Sequence, residues 1–230
     1  MINEKNSSIL SSITYASRIQ NAVLTPIERI DKLLPDNFIL NMPKDIVSGD
    51  FYWVAEKYGK IIFVVADCTG HGVPGAFMSM LGVTLLNDIV NIQGITKSDA
   101  IVTMLREGVI NSLQQGRKEI STSDGMDISL CVFYPGQYKI QFTGGMNDIV
   151  YIRDGKFEIV KADRLSVCLT LHHSDPFTLQ EIECKKGDVF YLFSDGYQDQ
   201  FGGDFDKKFL RQHFFVTLLE IYKLNISVIA

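Results

Sequence analysis

The sequence predicts an α+β fold in which two mainly antiparallel sheets pack face to face and helices flank them. Three observations carry this reading. Strand-like runs form two blocks separated by two long adjacent helices, so the β-α-β alternation of a parallel sheet is absent. Short turns join several strands, Lys57-Tyr58-Gly59-Lys60 and Asp154-Gly155 among them, and such turns make antiparallel hairpins. The run Pro74 to Ile92 is nearly all apolar, as expected of a helix buried against a sheet.

The elements follow in order. Ser7 to Leu24 reads as a helix with Ile9, Ile13, Ala16, Ile19 and Val23 on one stripe. That stripe needs a partner: the main domain, another chain or an upstream helix. Thr25-Pro26-Ile27-Glu28 has the form of a capping box with proline at the first helical position, opening a short helix through Leu34 that Pro35 stops. Phe38–Leu40, Asp50–Glu56 and Ile61–Ala66 are rich in aromatic and branched residues and read as strands. After the helix to Ile92, Thr96-Lys97-Ser98-Asp99 signals the start of another, through about Gln115. Residues 116–125 form a polar loop. Further strands are expected at Ile128–Tyr134, Tyr138–Thr143, Ile149–Arg153, Phe157–Lys161, Phe177–Glu183 and Val189–Phe193, then a helix from about Lys207 to Tyr222 and an apolar tail, Asn225–Ala230.

Composition narrows the function. The chain has 230 residues, 46% hydrophobic and 21% charged, enough for a substantial core. A net charge of −5 argues against nucleic acid as a partner and suits a site that gathers carboxylates around cations. Cys68, Cys131, Cys168 and Cys184 form no Cys-x-x-Cys pair, so they read as small buried hydrophobes rather than a zinc site. Met1 to Ser8 is polar and offers no signal peptide. No apolar run is expected to cross a bilayer. The expected location is the cytoplasm, either free or as the cytoplasmic part of a membrane-tethered protein.

Three acids stand at strand ends beside glycine turns: Asp50 in Val47-Ser48-Gly49-Asp50-Phe51, Asp67 at the end of Ile61–Ala66, and Asp195 in Phe193-Ser194-Asp195-Gly196. Any one of them alone is better read as a turn residue. Together they suit magnesium or manganese, which prefer oxygen ligands. Two such ions about 3.5–4 Å apart lower the pKa of a shared water and neutralise phosphate charge. Gly70-His71-Gly72 lacks the Gly-Lys-Ser/Thr ending of a P-loop and the spacing of a dinucleotide site. His71 is either an acid or phosphate contact, or a hydrogen-bond donor that fixes the turn, and the second is preferred. His172-His173 is expected to be solvated.

Three segments resemble the motifs of the PPM/PP2C-type serine/threonine phosphatases, in the bacterial SpoIIE/RsbU-like branch. They are Val47 to Trp53, Ala66-Asp67-Cys68-Thr69-Gly70-His71-Gly72-Val73-Pro74-Gly75-Ala76, and Phe193 to Gly196. The resemblance runs from about Ile13 to Lys208. It implies an α-β-β-α sandwich, two manganese or magnesium ions, and hydrolysis of phosphoserine or phosphothreonine in a regulatory protein of the anti-sigma-antagonist type. It further implies that Asp67 bridges both ions, that Asp50 and the Cys68 carbonyl bind one, and that Asp195 holds the other. Gly145 and Asn147 match a loop near the cleft. Asp127 is the candidate for orienting a water or helping to hold a weaker third ion, and Asp124 is expected to be a surface residue.

The same resemblance divides the chain into a linker helix region, residues 1–34, following an upstream sensor, and a phosphatase domain, residues 35–230. Its helix would dimerise or transmit a signal, unless it packs on its own domain. The ending departs from the family pattern. No Asp or Glu follows Glu220, so the terminal strand and its metal-binding acid are expected to be missing from a truncated chain. The second ion would then bind weakly, and an exposed sheet edge would invite a homodimer. The alternative function is a catalytically impaired regulatory or scaffold module.

Overall fold

The strand Met126–Tyr134 buries both of its faces, so it lies between two layers. Its side chains alternate: Ile128, Leu130 and Val132 face one core, while Cys131 and Phe133 face another. Each such buried aliphatic side chain contributes roughly 1.5–3 kcal/mol. The rest of the fold is arranged around this strand. The computed structural model describes residues 2–116, 123–202, 206–222 and 224.

In chain order the elements are α1 (Ile2–Val23), α2 (Ile27–Leu33), β1 (Phe51–Lys57), β2 (Lys60–Cys68) and α3 (Gly72–Leu86), which continues as a π-helical stretch, Asn87–Ile92. Then come α4 (Ser98–Ser112), β3 (Met126–Tyr134), β4 (Lys139–Gly145), β5 (Ile149–Arg153), β6 (Lys156–Val160), β7 (Gln180–Glu183), β8 (Val189–Tyr191), β9 (Phe201–Gly202), β10 (Lys207–Lys208) and α5 (Leu210–Ile221). One sheet has the order β1-β2-β3-β4-β7 and a second has β6-β5-β8, while β9 and β10 form a separate hairpin. All strand pairs within these sheets are antiparallel. Between the two main sheets lie Cys131, Phe142, Ile149 and Ile182. Helices α3 and α4 cover the outer face of the five-stranded sheet through Met78, Leu86, Ile101 and Leu105. Phe214 and Leu218 of α5 cover the three-stranded sheet. The result is the expected α-β-β-α sandwich.

Both expected hairpins form. Tyr58-Gly59 and Asp154-Gly155 have positive φ at both central residues (53° and 72°, 50° and 72°), which matches the twist of the strands they join.

Several expectations need correction. Phe38–Leu40 is not a strand. Phe38 packs edge-on to Tyr191, Ile39 joins a different core cluster, and Leu40 is exposed, so the segment anchors separate sites instead of presenting one face. The capping box at Thr25 does not form. The Thr25 hydroxyl instead donates to the Val54 carbonyl and accepts from the Val54 N–H, tying the start of α2 to β1. At α4 the Ser98 hydroxyl accepts from Thr143 of β4 and caps nothing. The strand expected from Phe177 begins only at Gln180, because Asp163 takes the N–H and hydroxyl of Thr178. Gly72–Ile92 is long and apolar enough to cross a membrane, contrary to the sequence expectation. Here it is the core helix on the sheet, with Ala76, Met78, Val83, Leu86, Ile89 and Val90 buried.

The apolar stripe of α1 does not dock on the domain as a whole. Ile9, Ile19 and Val23 are exposed, and contact with the core is made by Leu24 and the buried Gln20. The apolar tail Asn225–Ala230, on which the expected ending of the chain turns, lies outside the described residues.

Candidate functional site

Strand alternation sets the direction of the key acids. Asp67 shares a face of β2 with Phe63 and Val65, and Phe63 packs into the layer between the sheets. Asp127 lies directly opposite Asp67 in the β2–β3 ladder. Asp50 immediately precedes Phe51, whose partner is Ala66, so it reaches the same end of the sheet. Asp195 arrives from the second sheet, in the turn after β8. The acids therefore meet where the inter-sheet core runs out.

Their mutual contacts are close. Asp67 lies within hydrogen-bonding reach of both Asp50 and Asp195. Burial, then the charges of Asp50 and Asp195, push its carboxyl up to about 8. Asp127 is also raised, by burial and by Asp195, while a hydrogen bond from the Ser166 hydroxyl (2.5 Å) opposes the shift. Like charges directly opposite across strands destabilise a sheet. Four such acids at one corner leave a charge excess that either protons or cations must offset.

Among the described residues, no three acidic, histidine or cysteine side chains close around one point as a finished metal-ligand set. Asp50 and Asp195 lie against Asp67 itself, an approach that a shared proton permits. The donor chemistry nevertheless fits a hard divalent cation: carboxylate oxygens in excess, on strand ends, with a main-chain carbonyl beside them. The Cys68 carbonyl lies 3.3 Å from where a Cβ on Gly49 would stand, so it abuts the loop that carries Asp50. The Cys68 thiol is buried and held well above its usual range by desolvation and then by Asp67, which leaves the carbonyl as its only useful donor.

Two loops are pressed together to make this corner. A Cβ on Gly49 would be 2.8 Å from the Gly70 carbonyl oxygen, and one on Gly75 would be 2.6 Å from the same atom and 3.0 Å from the Gly49 Cα. Only glycine permits that approach.

Sequence reasoning missed the residues that hold the acids in place. The Ser194 hydroxyl donates to Asp50 (2.5 Å) across 144 residues. Gln20 of α1 donates to the Ser48 carbonyl (2.6 Å) and the Ser79 hydroxyl (2.8 Å), and accepts from the Ser48 N–H (3.0 Å). Helix α1 is thereby bonded to the backbone two residues before Asp50. A signal existed: Gln20 is the one polar member of the series Ala16, Gln20, Leu24, spaced for one helix face.

The remaining candidates stand further out. His71 begins α3 and is bonded to Asp45, not to the acids. Asn147 lies in the loop after β4, where its carbonyl accepts from Ser129 and its buried side-chain nitrogen has no partner among the described residues. Gly145, the last residue of β4, packs against Leu165 and Phe177. The Asp124 carbonyl accepts from Gln115, and the residue lies outside the acid cluster. His172 and His173 are exposed, as expected.

Known proteins share this fold. The model of the family described as Stage II sporulation protein E (SpoIIE) matches residues 57–223. Among solved structures, the SiaA-PP2C domain of Pseudomonas aeruginosa is similar with a TM-score of 0.86 and 27% identity, over 97% of this chain and 87% of that one. The PP2C phosphatase domain of SpoIIE from Bacillus subtilis, with a fragment of its regulatory domain, gives 0.54 and 21%, over 66% and 43%. The catalytic domain of the serine/threonine phosphatase PstP, in complex with 2 manganese ions, gives 0.52 and 15%, over 78% and 86%. No curated protein sequence gives a significant match.

Proposed function

The chain belongs to the SpoIIE family and has the PP2C phosphatase fold, and from this we propose that it is a metal-dependent protein phosphatase acting on phosphoserine or phosphothreonine. The observation that carries the reading is the state of Asp67, whose carboxyl is pushed to about 8 by burial and by the two acids beside it. A carboxyl so destabilised as an anion is poised for a divalent cation to replace its proton.

Asp67 would bridge two ions, with Asp50 and the Cys68 carbonyl on one and Asp195 on the other. Bound manganese or magnesium supplies Lewis acidity and a water of lowered pKa. The protein's own part is positioning. Ser194 holds Asp50, Ser166 holds Asp127 beside Asp195, and Gln20 holds the Ser48 backbone. The strand ends keep these groups rigid, so little reorganisation is needed when substrate charge arrives.

The substrate we propose is a phosphorylated regulator of the anti-sigma-antagonist type. Residues 1–34 would link an upstream sensor to a phosphatase domain at 35–230, in the cytoplasm. The exposed Ile9, Ile19 and Val23 of α1 supply an apolar surface suited to a homodimer.

Phosphate release from a phosphoserine peptide tests the activity. Hydrolysis is expected with millimolar Mn2+ and none after chelation. Undiminished hydrolysis in excess chelator would refute metal dependence, and no hydrolysis with Mn2+ would refute the activity.

A further inference from the structure

We propose that a groove between α1 and the loop leading to Asp50 is a specificity subsite, which takes an asparagine or glutamine side chain close to the phosphoresidue of the substrate. This inference rests on the phosphatase reading above and deepens it. The groove has a volume of about 200 Å3, and Asp50 lies in its wall. Asp50 is also one of the acids against Asp67, so the groove adjoins the proposed metal corner itself.

Size argues against a nucleotide or another cofactor, whose sites run to about 300–1,000 Å3, and suits a single side chain. The polar lining of the groove divides in two. Gln20 and Ser48 are bonded to each other and are spent. Ser17, Asn21 and Asn41 are not: their side chains have no hydrogen-bond partner among the described residues. Elsewhere on α1, Ser12 and Thr14 each donate a hydroxyl to the carbonyl four residues back. The carboxamides of Asn37, Asn87 and Asn91 likewise each serve a partner within the fold. Ser17, Asn21 and Asn41 therefore bring unused donors and acceptors to one groove, from two segments about twenty residues apart.

This lining sets what can bind. No Lys, Arg or His is part of it, so an acidic side chain or a second phosphate would lose water without gaining a counter-charge. Its one charge, on Asp50, is committed to the acid corner, so a cationic side chain gains little. A carboxamide matches, because it donates and accepts at once, as Asn21 and Asn41 do. Its methylenes would lie on Leu24, Pro43 and Ile46, the apolar part of the wall. Asp50 is common to the groove and the corner, and an extended peptide advances about 3.3 Å per residue, so the occupant lies within roughly three positions of the phosphoserine.

A panel of phosphoserine peptides, with Gln, Leu, Glu or Lys placed in turn at each of those flanking positions, tests the subsite in the full chain with Mn2+. At one position Gln should exceed Leu, Glu and Lys by roughly 5–100-fold in kcat/KM, mainly through KM, as expected of two neutral hydrogen bonds. Asn21→Leu and Asn41→Leu should each cut that preference by roughly 2–10-fold. Neither should change hydrolysis of p-nitrophenyl phosphate, which has no residue to place in the groove. No preference for Gln at any position, or a preference that survives in both variants, overturns the proposal. NMR of the Asn21 and Asn41 side-chain amides gives a reading independent of activity. In the metal-free chain, the unphosphorylated Gln peptide at millimolar concentration should shift both signals, and the Leu peptide should not. Equal shifts with the two peptides, or none with either, overturn the subsite. A wild type inactive on every phosphopeptide and on p-nitrophenyl phosphate refutes the phosphatase reading, while the NMR result still judges the groove.

Discussion

Replacing Asp67 with asparagine is expected to abolish Mn2+-dependent phosphate release, with a loss of at least about a hundredfold. The scale follows from position. Changing a residue that merely supports a metal ligand costs about 10–100-fold, and Asp67 is the acid that both Asp50 and Asp195 approach. The fold should survive, and the metal-free variant should be at least as stable as the wild type near pH 8. Asp67 has a higher pKa in the folded state than in the unfolded chain, so its ionisation opposes folding above the ordinary carboxylate range. That opposition grows as pH rises toward about 8, and asparagine removes it. Wild-type turnover in Asp67→Asn, measured with a phosphoserine peptide, would remove Asp67 from the metal site.

Gly75→Ala is expected to weaken Mn2+ binding at least tenfold and also to lower Tm. Two effects compete. Alanine in a helix is favoured over glycine by about 1 kcal/mol. Against this, the new Cβ would stand 2.6 Å from the Gly70 carbonyl oxygen and 3.0 Å from the Gly49 Cα. Both are main-chain atoms and cannot swing aside, and overpacking of this kind costs roughly 1–3 kcal/mol. The clash wins, and relieving it separates the Asp50 loop from the Cys68 carbonyl. The net cost of up to about 2 kcal/mol corresponds to a Tm drop of up to roughly 8 °C for a domain of this size. Gly136→Ala, where no atom lies within 4 Å of the new Cβ, is the control. A Gly75→Ala protein with raised Tm and unchanged Mn2+ affinity would contradict the proposed geometry.

Local chemistry made much of this fold legible. The hairpins at Tyr58-Gly59 and Asp154-Gly155 follow from turn residues, and the double-faced burial of β3 follows from its consecutive apolar residues Leu130 to Phe133. Asp50, Asp67 and Asp195 could be read because each ends a strand beside glycine. Contacts between distant segments were not legible. Nothing local to Ser194 points to Asp50, and nothing local to Asp45 points to His71. The capping signal at Thr25 misled because a tertiary partner, the Val54 backbone, took the hydroxyl. Phe38 and Ile39 misled because aromatic and branched side chains signal burial as readily as they signal a strand. The stripe on α1 was read correctly as apolar, yet the docking residue is Gln20, whose amide satisfies backbone groups that an apolar side chain would leave unpaired.

The central claim is that the acid corner exchanges a proton for a divalent cation. Calorimetric titration of the wild-type chain with MnCl2, at pH 6.5 and pH 8 in buffers of differing ionisation enthalpy, tests it most directly. With the Asp67 carboxyl at about 8, binding should be roughly 15-fold tighter at pH 8, and nearly one proton should be released per binding event at pH 6.5. Absence of binding at millimolar Mn2+ at both pH values, or equal affinity without proton release, would contradict it.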